Sequence, residues 1–571
     1  MQYQTPREGR FSWAGLLRMA GLVCMALSWL MPNHYVPWYF FHSDALAFAA
    51  VFLWLVSLQF DGPGANSVPR AAWVVFAAIA IPWLQWAFGL IGFAGEAWLA
   101  TLYIGGFAAS LYVGFQWGRR PDGEQAVMQT VVFAVLAAGL GSTVLALFQW
   151  LRMEDDLGIF IANIGITVRP FANFGQPNLL ATLLVMSVVA LVWLYQANLL
   201  GKLGLVVGTA FLTFGLCLTQ SRAGYVSALA ICLWWFFKER TVGENQLKRW
   251  WGAAWLVSIA VFTPLLRQAS VVFGWAGDRQ ILILDNNGRW LIWKQISQGI
   301  LDSPWVGYGW EHTAAAQMAG SVTYPGTMAT MYAHNIGLDA LAWLGIPLGL
   351  AACLAAGLWL ASRAFRARGQ LPVLAFALAL PVISHSLLEF PFAYAVFLFP
   401  AGILLGVVEA GHPGAPVAQL RRGWLLALGL VWGALGIQVV REYLPAEDDF
   451  RFLRFEAMRI GKTPDEHTRP KFVLLTQMEA LLEVGRIKPR AGMSEQEIDN
   501  VRYVTTRYSW SPPAILYAAV LEANGRQEAY ERQLKVILGM YGKKHLAAAM
   551  ERLEELRAQR QPSVSLPARQ Q

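Results

Sequence analysis

Charged side chains are scarce in this chain: only 14% of its 571 residues are Asp, Glu, Lys or Arg, whereas 56% are hydrophobic. Soluble domains average about 25% charged residues, so this shortage excludes an ordinary soluble globular protein. The mean hydropathy of +0.43 agrees with that exclusion. Runs of about twenty apolar residues recur too often to be core helices or a single signal peptide. The sequence therefore predicts an all-α polytopic membrane protein.

Cysteines and cofactor motifs are also few or lacking. Each of the four cysteines, Cys24, Cys217, Cys232 and Cys353, lies in an apolar segment without metal-ligand spacing, so we interpret them as packing residues. The sequence has no Walker loop, no dinucleotide fingerprint, no His-Glu-x-x-His and no carboxylate pair of the kind that binds a divalent metal. ATP-driven and metal-dependent chemistry therefore have no support, and we expect no cofactor.

The formal net charge of +8 indicates membrane topology rather than nucleic-acid binding. Lys and Arg lie mainly in short loops between apolar runs, as the positive-inside rule predicts. If Met1 is cytoplasmic, the alternate loops face outward, including the long loop 268–331, and with an odd number of spans so does the C-terminal segment. The basic loops that then fall on the cytoplasmic side are 118–121, 238–240, 248–249, 363–368 and 421–422.

Apolar spans fill the chain up to Arg441, after which the composition changes. We predict a transmembrane domain over residues 1–441 and a soluble, helical, repeat-like domain over residues 442–571. In the latter, two amphipathic helices joined by a turn that contains Gly525 are typical of a tetratricopeptide-like hairpin. The thirteen predicted spans cover residues 11–31, 43–60, 71–91, 96–117, 126–150, 177–197, 203–219, 222–237, 250–267, 332–361, 371–388, 392–409 and 423–441.

The long loop 268–331 is the feature around which the rest of the chain is organised. Loops longer than roughly 15 residues are usually functional or disordered. This loop is rich in Trp, Gly and Pro, carries Gly288-Arg289-Trp290-Leu291-Ile292-Trp293, and leads into His334 and Asn335 at the next span. We interpret it as an ordered lid over a site at one face of the membrane.

Ionisable residues at the ends of membrane spans are costly and therefore candidates for function. Arg222 and Arg289 could each grip a phosphate bidentately. The alternatives are a snorkelling arginine at 222 and an arginine stacked on Trp290 or Trp293 at 289. His334 is suited to act as a base near neutral pH, although a single interfacial histidine is more often structural.

Two further places carry polar candidates. The turn that contains Arg169, Gln176 and Asn178 enters a span at a proline, where amides and free N–H groups suit an anion. An ordinary interfacial turn is the alternative. The spacing of His385 and Glu389 predicts that both lie on one helix face, and our preferred interpretation is a structural pair that fixes the helix end.

In combination, these motifs resemble the O-antigen ligase/polymerase superfamily, and the resemblance is strong over residues 165–410. Most similar are the PglL-type protein O-oligosaccharyltransferases, because of the Gly-Gln-Pro-Asn turn, the run from Ser386 to Pro391 and the C-terminal helices. Two departures are Leu348, where the family often has a second glycine after Gly345, and Phe390, where many relatives have Tyr. The motifs are Phe174-Gly175-Gln176-Pro177-Asn178-Leu179-Leu180-Ala181, Ser221-Arg222-Ala223-Gly224, Gly288-Arg289-x-x-Ile292-Trp293, Ser303-Pro304-Trp305-x-Gly307-x-Gly309 and His334-Asn335.

The resemblance implies a metal-independent, GT-C-like glycosyltransferase in the bacterial inner membrane. It would transfer an oligosaccharide from a polyprenyl (undecaprenyl) pyrophosphate carrier to Ser or Thr of exported proteins such as pilin, at the periplasmic face. Arg222 and Arg289 would hold the pyrophosphate, and His334 would orient or deprotonate the acceptor hydroxyl. The residues expected to bind substrate are Arg169, Gln176, Asn178, Asn335, His385, Glu389 and Tyr394.

Other readings stay open at this point. The acceptor could be lipid A-core or a growing glycan, and a lipid-linked glycan transporter is an alternative of another class. An outer helical domain favours a protein acceptor, because a helical scaffold can present a peptide. A transporter would be favoured by broken helices in the middle of the membrane and by an inverted repeat, and neither is clear in the sequence. Membrane lipid is an expected partner, whereas nucleic acid is not.

Overall fold

Helices dominate the computed structural model, which describes residues 12–60, 67–165, 169–242, 247–273, 286–326, 328–412 and 418–560. A two-stranded antiparallel ribbon pairs β1 (Ser67–Val68) with β2 (Ala418–Gln419), with Ser67 opposite Gln419. A π-helical stretch, Met128–Val132, precedes α7. The α-helices are α1 (Trp13–Leu30), α2 (Phe41–Ser57), α3 (Arg70–Ala77), α4 (Ala80–Ala87), α5 (Ala94–Gly118), α6 (Gly123–Val127), α7 (Phe133–Trp150), α8 (Glu154–Leu157), α9 (Pro177–Gln196), α10 (Lys202–Thr219), α11 (Arg222–Lys238), α12 (Trp250–Val272), α13 (Asn286–Asp302), α14 (Thr313–Ser321), α15 (Ile336–Arg366), α16 (Gln370–Ser386), α17 (Ala395–Ala410), α18 (Arg422–Met458), α19 (Thr476–Val484), α20 (Glu495–Arg507), α21 (Ser511–Ala523), α22 (Gln527–Tyr541) and α23 (Lys543–Arg560).

All thirteen predicted apolar spans are helical, which confirms the prediction of an all-α polytopic membrane protein. The span predicted at 71–91 consists of two short helices, α3 and α4. Within the described residues, ten helical segments are long and apolar enough to cross a membrane, and α16 and α17 are shorter apolar helices. The count of thirteen membrane crossings stays a prediction.

The chain divides into two compact units. Unit 1 consists of Met1–Ala80, Thr101–Leu284 and Ala356–Val440. At its centre lies α9, which is buried along almost its whole length and contacts α7, α10, α11 and α16. Since α9 begins at Pro177, the predicted turn around Gln176 and Asn178 lies at the N-terminus of the most central helix of this unit.

Unit 2 consists of Ile81–Ala100, Asp285–Ala355 and Arg441–Gln571. The predicted hairpin is present in it as α21 and α22, which contact each other on either side of the Gly525 turn. Helix α14 contacts α13, α20 and α22. The segment 286–321 and the C-terminal helices therefore belong to the same compact unit; the predicted domain boundary at 441 stays a prediction.

The predicted loop 268–331 is not irregular in its described part. It contains two helices, α13 and α14, and α12 continues to Val272, while residues 274–285 lie outside the described residues. Buried Ile292, Ile296 and Ile300 recur every four residues along α13, the spacing of one helix face. The described part of the loop is therefore largely helical, with non-helical stretches at 303–312, 322–326 and 328–331, and its role as a lid stays a prediction.

The span predicted at 332–361 is broken rather than continuous. Inside α15, Gly345 has a non-helical backbone (φ 75°, ψ 172°), so the helix is interrupted there. The carbonyl groups of Ala342 and Trp343 that the break releases accept hydrogen bonds from the backbone N–H groups of Tyr308 (2.8 Å) and Gly309 (3.2 Å). The Ser303–Gly309 motif thus packs against the break and satisfies its backbone.

Candidate functional site

The turn that leads into α9 is fixed by two buried amide side chains, Gln149 and Asn173. Oε1 of Gln149 accepts hydrogen bonds from the backbone N–H groups of Phe171 (2.9 Å) and Ala172 (2.8 Å), and Nε2 of Gln149 donates one to the Ala172 carbonyl (2.7 Å). Nδ2 of Asn173 donates to the carbonyl of Leu30 at 2.7 Å. These bonds hold Ala172 in the left-handed region (φ 51°) and so define the path of the turn.

Asn178 is the centre of a polar cluster at the first turn of α9. Its Oδ1 accepts hydrogen bonds from Oγ of Ser221 (2.7 Å) and Nη2 of Arg169 (3.3 Å), and its Nδ2 donates to Oε1 of Glu389 (3.1 Å). Nε of Arg169 also donates to the carbonyl of Thr219 at 2.8 Å. We call Arg169, Asn178, Ser221 and Glu389 the amide cluster. Because these groups are linked in one network, the orientation of each depends on the others.

Arg222 is the first residue of α11 and directly follows Ser221 of the amide cluster. Oγ of Ser221 accepts a hydrogen bond from the N–H of Gly224 (3.1 Å) and caps the helix. Gln220 adopts a left-handed conformation (φ 47°) that turns the chain from α10 into α11. Arg222 itself is exposed. An anion bound to its guanidinium would also face the positive end of α11, so the position suits a phosphate.

His385 and Glu389 are both hydrogen bonded to α9. Nδ1 of the fully buried His385 lies 2.7 Å from the hydroxyl of Thr182, and Glu389 contacts Asn178 as described above. The prediction that both lie on one helix face is wrong, because α16 ends at Ser386 and Glu389 follows in the turn after it. The backbone N–H of Glu389 still donates to the His385 carbonyl at 2.8 Å, which closes the helix end.

Tyr394 and Gln176 are the remaining predicted residues of unit 1. The ring centre of Tyr394 lies 4.1 Å from that of Phe40 and 5.9 Å from that of Phe390, so the ring belongs to an aromatic group. Gln176 is half-buried, and its carbonyl accepts a hydrogen bond from the N–H of Leu179 (3.2 Å). Substrate binding by either side chain stays a prediction.

Ala333, His334 and Asn335, which we call the histidine turn, precede α15 in unit 2. The N–H of Ala333 donates to Oδ1 of Asp339 (2.8 Å), and its carbonyl accepts from Nε1 of Trp293 (2.8 Å). His334 is in the left-handed region (φ 55°). For a residue other than glycine this costs roughly 1–2 kcal/mol, and strain of this kind is concentrated at functional sites. Two anchored peptide groups thus hold the imidazole-bearing residue in a strained conformation.

Asn335 is the capping residue of α15. Its Oδ1 accepts hydrogen bonds from the N–H groups of Gly337 (3.0 Å) and Leu338 (3.1 Å), which are orphan donors of the first helical turn. The side chain of Asn335 therefore has a structural task, and the predicted role in substrate binding is not needed to explain the residue.

Arg289 lies on α13 one turn before Trp293, the residue that bonds the histidine turn. Residues four apart share a helix face, so Arg289 and the histidine turn are associated with the same face of α13. Arg289 is exposed, as is Trp290, whose ring has Nζ of Lys294 5.6 Å from its centre. The exposure of this guanidinium is compatible with contact to a large anionic substrate.

The structure gathers the predicted residues into two groups, one in each unit. Unit 1 holds the amide cluster with Arg222 and His385, and unit 2 holds the histidine turn with Arg289. The predicted joint action of Arg222, Arg289 and His334 stays a prediction. Sequence reasoning missed Gln149, Thr182 and Asp339, although each is a polar residue inside a predicted apolar span, which is itself a signal of function.

Three family profiles match successive parts of the chain. The profile described as protein glycosylation ligase matches residues 170–195, and that described as O-antigen ligase matches residues 207–353. The profile described as virulence factor membrane-bound polymerase, C-terminal, matches residues 373–554. The first two matches contain the turn into α9, Arg222, Arg289 and the histidine turn; the third contains His385, Glu389 and the C-terminal helices.

Two similar proteins from Acinetobacter baylyi span most of the chain. A general O-oligosaccharyltransferase is 27% identical over 552 residues, which is 92% of this chain and 93% of that protein. A ComP-specific O-oligosaccharyltransferase is 24% identical over 426 residues, or 72% of this chain and 75% of that protein. Both likenesses extend well beyond any single motif. The chain is therefore similar to the O-antigen ligase family in its middle part and, over most of its length, to protein O-oligosaccharyltransferases.

Proposed function

We propose that this membrane protein transfers an oligosaccharide from a polyprenyl pyrophosphate carrier to Ser or Thr hydroxyl groups of exported, pilin-like proteins. The reaction takes place at the periplasmic face of the bacterial inner membrane. The observation that carries the proposal is the likeness to two O-oligosaccharyltransferases over 92% and 72% of the chain. The geometry of the amide cluster and the histidine turn supports the assignment of roles.

The two arginines are assigned to the pyrophosphate leaving group, on which negative charge develops during the transfer. In the reaction, the acceptor oxygen attacks the anomeric carbon of the sugar while the bond from that carbon to the pyrophosphate oxygen breaks. Negative charge grows on the departing polyprenyl pyrophosphate, and the guanidinium groups of Arg222 and Arg289 stabilise it. The exposure of both side chains and the position of Arg222 at a helix N-terminus support this role.

The acceptor hydroxyl must lose its proton as the new glycosidic bond forms. In our proposal, a ring nitrogen of His334 accepts that proton, as imidazole can do near neutral pH. The anchored peptide groups of Ala333 and the cap formed by Asn335 limit the directions in which the ring can point. This defined backbone position favours a general base, because misplacement by about 1 Å can reduce a rate 100-fold.

The decisive experiment is expression in a cell that lacks its own ligase, supplied with a lipid-linked glycan, a pilin-like protein and lipid A-core. We expect the wild-type chain to glycosylate the protein, as measured by mass spectrometry of its peptides. The His334→Ala variant should insert into the membrane normally but form no product. His545→Ala, which alters an exposed histidine of α23, serves as the matched control and should retain activity.

Two outcomes would contradict the proposal. Glycan on lipid A-core alone would assign the chain a lipid acceptor, and a ladder of lengthening glycans would indicate polymerisation. Full protein glycosylation by His334→Ala would remove His334 from the mechanism while leaving the acceptor assignment intact.

A further inference from the structure

Unit 2 contains a buried group of ionisable side chains that the proposed mechanism does not use. Nε2 of His312 lies 2.9 Å from Oε1 of Glu96, and Nε of Arg507 lies 3.0 Å from the same oxygen. Nη2 of Arg507 also pairs with Oε2 of Glu311 at 2.8 Å. The side chains of His312 and Glu96 are only 3% and 5% exposed. We call Glu96, His312, Glu311 and Arg507 the ionic clasp.

The ionic clasp joins three separate parts of the chain. Glu96 belongs to the first turn of α5, His312 and Glu311 directly precede α14, and Arg507 is the last residue of α20 in the C-terminal helices. Burial alone would lower the pKa of the Arg507 guanidinium, but the carboxylates of Glu311 and Glu96 raise it above its ordinary value. Removing one partner of such a buried pair leaves an uncompensated charge, so the clasp strongly favours one arrangement of these three segments.

The residue that follows His312 of the clasp, Thr313, is linked by hydrogen bonds to the histidine turn. Thr313, which follows His312, donates from its hydroxyl to Oδ1 of Asp339 at 2.6 Å. The same carboxylate oxygen accepts the N–H of Ala333, the residue before His334. Nε1 of Trp343 donates to the Thr313 hydroxyl at 2.7 Å, so this hydroxyl has both of its hydrogen-bonding roles filled. Thr313 and Asp339 are both fully buried.

We propose that Thr313 and the ionic clasp are positioning elements for His334, and that the C-terminal helices therefore set the rate of glycan transfer as well as any contact with the acceptor. Arg507 holds Glu96 and Glu311, His312 holds Glu96, and Thr313 holds the carboxylate that fixes the peptide before His334. This inference rests on the proposed role of His334 as the base. If the C-terminal helices only presented the acceptor, changes in them would raise the KM for the acceptor. The positioning role predicts instead that kcat falls.

The test uses full-length enzyme in detergent or liposomes and compares steady-state kinetics of three variants. Thr313→Val keeps the shape of the side chain but removes the donor to Asp339. We expect it to lower kcat between about 10- and 100-fold, the range expected for a slightly misplaced catalytic group, with the KM values for glycan donor and acceptor protein unchanged. Thr313→Ser retains the hydroxyl and should recover most of kcat. Thr143→Val alters a buried threonine of α7 in unit 1 whose hydroxyl donates to the Gly139 carbonyl, and it should leave kcat unchanged.

Rates are normalised to folded protein, measured by thermal unfolding, so that lost stability is not mistaken for lost catalysis. A rise in acceptor KM with unchanged kcat would overturn the proposal and leave the C-terminal helices an acceptor-binding role. Unchanged kcat and KM in Thr313→Val would overturn it as well. Arg507→Gln, assayed if it folds, should lower kcat in the same way. The His334→Ala variant separates the two proposals: full activity there would contradict the base, whereas an inactive His334→Ala beside a normal Thr313→Val would contradict only the positioning.

Discussion

Arg222 and Arg289 are exposed side chains whose proposed task depends on the shape of the guanidinium group. This group is planar and presents parallel N–H donors that match two phosphate oxygens, whereas the lysine ammonium is a compact point charge. An Arg→Lys substitution is therefore informative at these positions, because it keeps the positive charge and removes the planar pair of donors. Neither residue needs to be truncated to test the role.

We predict that Arg222→Lys and Arg289→Lys each lower kcat for glycan transfer on the order of 100-fold, the scale seen when one donor to a developing negative charge is lost. The measurement is the rate of glycopeptide formation under saturating lipid-linked donor. Arg526→Lys is the matched control, because Arg526 is a surface residue paired with Glu495 and should tolerate lysine.

Near-normal turnover in both lysine variants would contradict the phosphate clamp, since a point charge would then suffice or no cation would be needed. A loss confined to one variant would assign the clamp to that residue alone. In the double lysine variant, an effect much smaller than the product of the single effects would indicate that the two arginines act on one group.

The sequence pointed to the residues to which we assign chemistry more readily than to the residues that support them. Arg222 and His334 stand out because polar groups at the ends of apolar spans are rare. Asp339 was missed, since its importance lies in hydrogen bonds to Ala333 and Thr313 that no spacing reveals. Gln149 was missed for the same reason, because two of its partners, Phe171 and Ala172, lie more than twenty residues later in the chain.

The break in α15 explains why glycine is needed at two positions, Gly307 of the Ser303–Gly309 motif and Gly345 at the break itself. A Cβ atom on Gly307 would lie 2.5 Å from the Ala342 carbonyl oxygen, and one on Gly345 would lie 2.5 Å from the Trp305 backbone. Both glycines also have positive φ, 68° and 75°. Only glycine allows the motif and the break to approach this closely.

We predict that Gly307→Ala lowers the free energy of unfolding by about 2 kcal/mol or more, from the left-handed backbone and the steric overlap together. Thermal unfolding of the purified protein in detergent measures the effect. Gly357→Ala provides the control within the same helix, because a Cβ atom there meets nothing within 4 Å. It should leave stability unchanged or raise it by up to about 1 kcal/mol. Equal stability of the two variants would show that the motif does not pack into the break.

The break also bears on the transporter alternative. Broken membrane helices often expose backbone groups to a transported substrate, but in α15 the carbonyls of Ala342 and Trp343 are bonded to Tyr308 and Gly309. Hydropathy alone predicted the span well and the break not at all, because the apolar run continues through Gly345. The helix α13 was equally hidden by the Trp and Gly content of its segment, although the spacing of Ile292, Ile296 and Ile300 was a usable signal.

At the scale of the whole molecule, the division into two units follows contacts rather than chain order. Unit 2 combines residues from three separated stretches, and the C-terminal helices share it with α13, α14 and the histidine turn. Composition predicted a change after Arg441 but could not reveal this association, since it depends on long-range pairs such as Arg507 with Glu96. The direction in which each span crosses the membrane is a separate prediction from the basic loops.

We predict that Asp156 and Glu551, which lies on α23, face the periplasm, whereas Arg240 faces the cytoplasm. Single cysteines at these exposed positions are introduced after Cys24, Cys217, Cys232 and Cys353, which are all free and at least half-buried, have been replaced by alanine. A membrane-impermeant maleimide should label Asp156→Cys and Glu551→Cys in cells whose outer membrane has been permeabilised. It should label Arg240→Cys only after the inner membrane has been lysed.

The labelling pattern decides between physically distinct arrangements. Labelling of all three positions in intact inner membranes would indicate that Arg240 lies outside and would contradict the positive-inside assignment. Protection of Glu551 with labelling of Asp156 would mean an odd number of crossings between them, whereas eight of the thirteen predicted spans lie between these positions and place both on the same side. In that case the C-terminal helices would lie in the cytoplasm, and acceptors exported to the periplasm could not meet them. Only the predicted pattern allows the histidine turn, the C-terminal helices and an exported hydroxyl to be on the same side of the membrane.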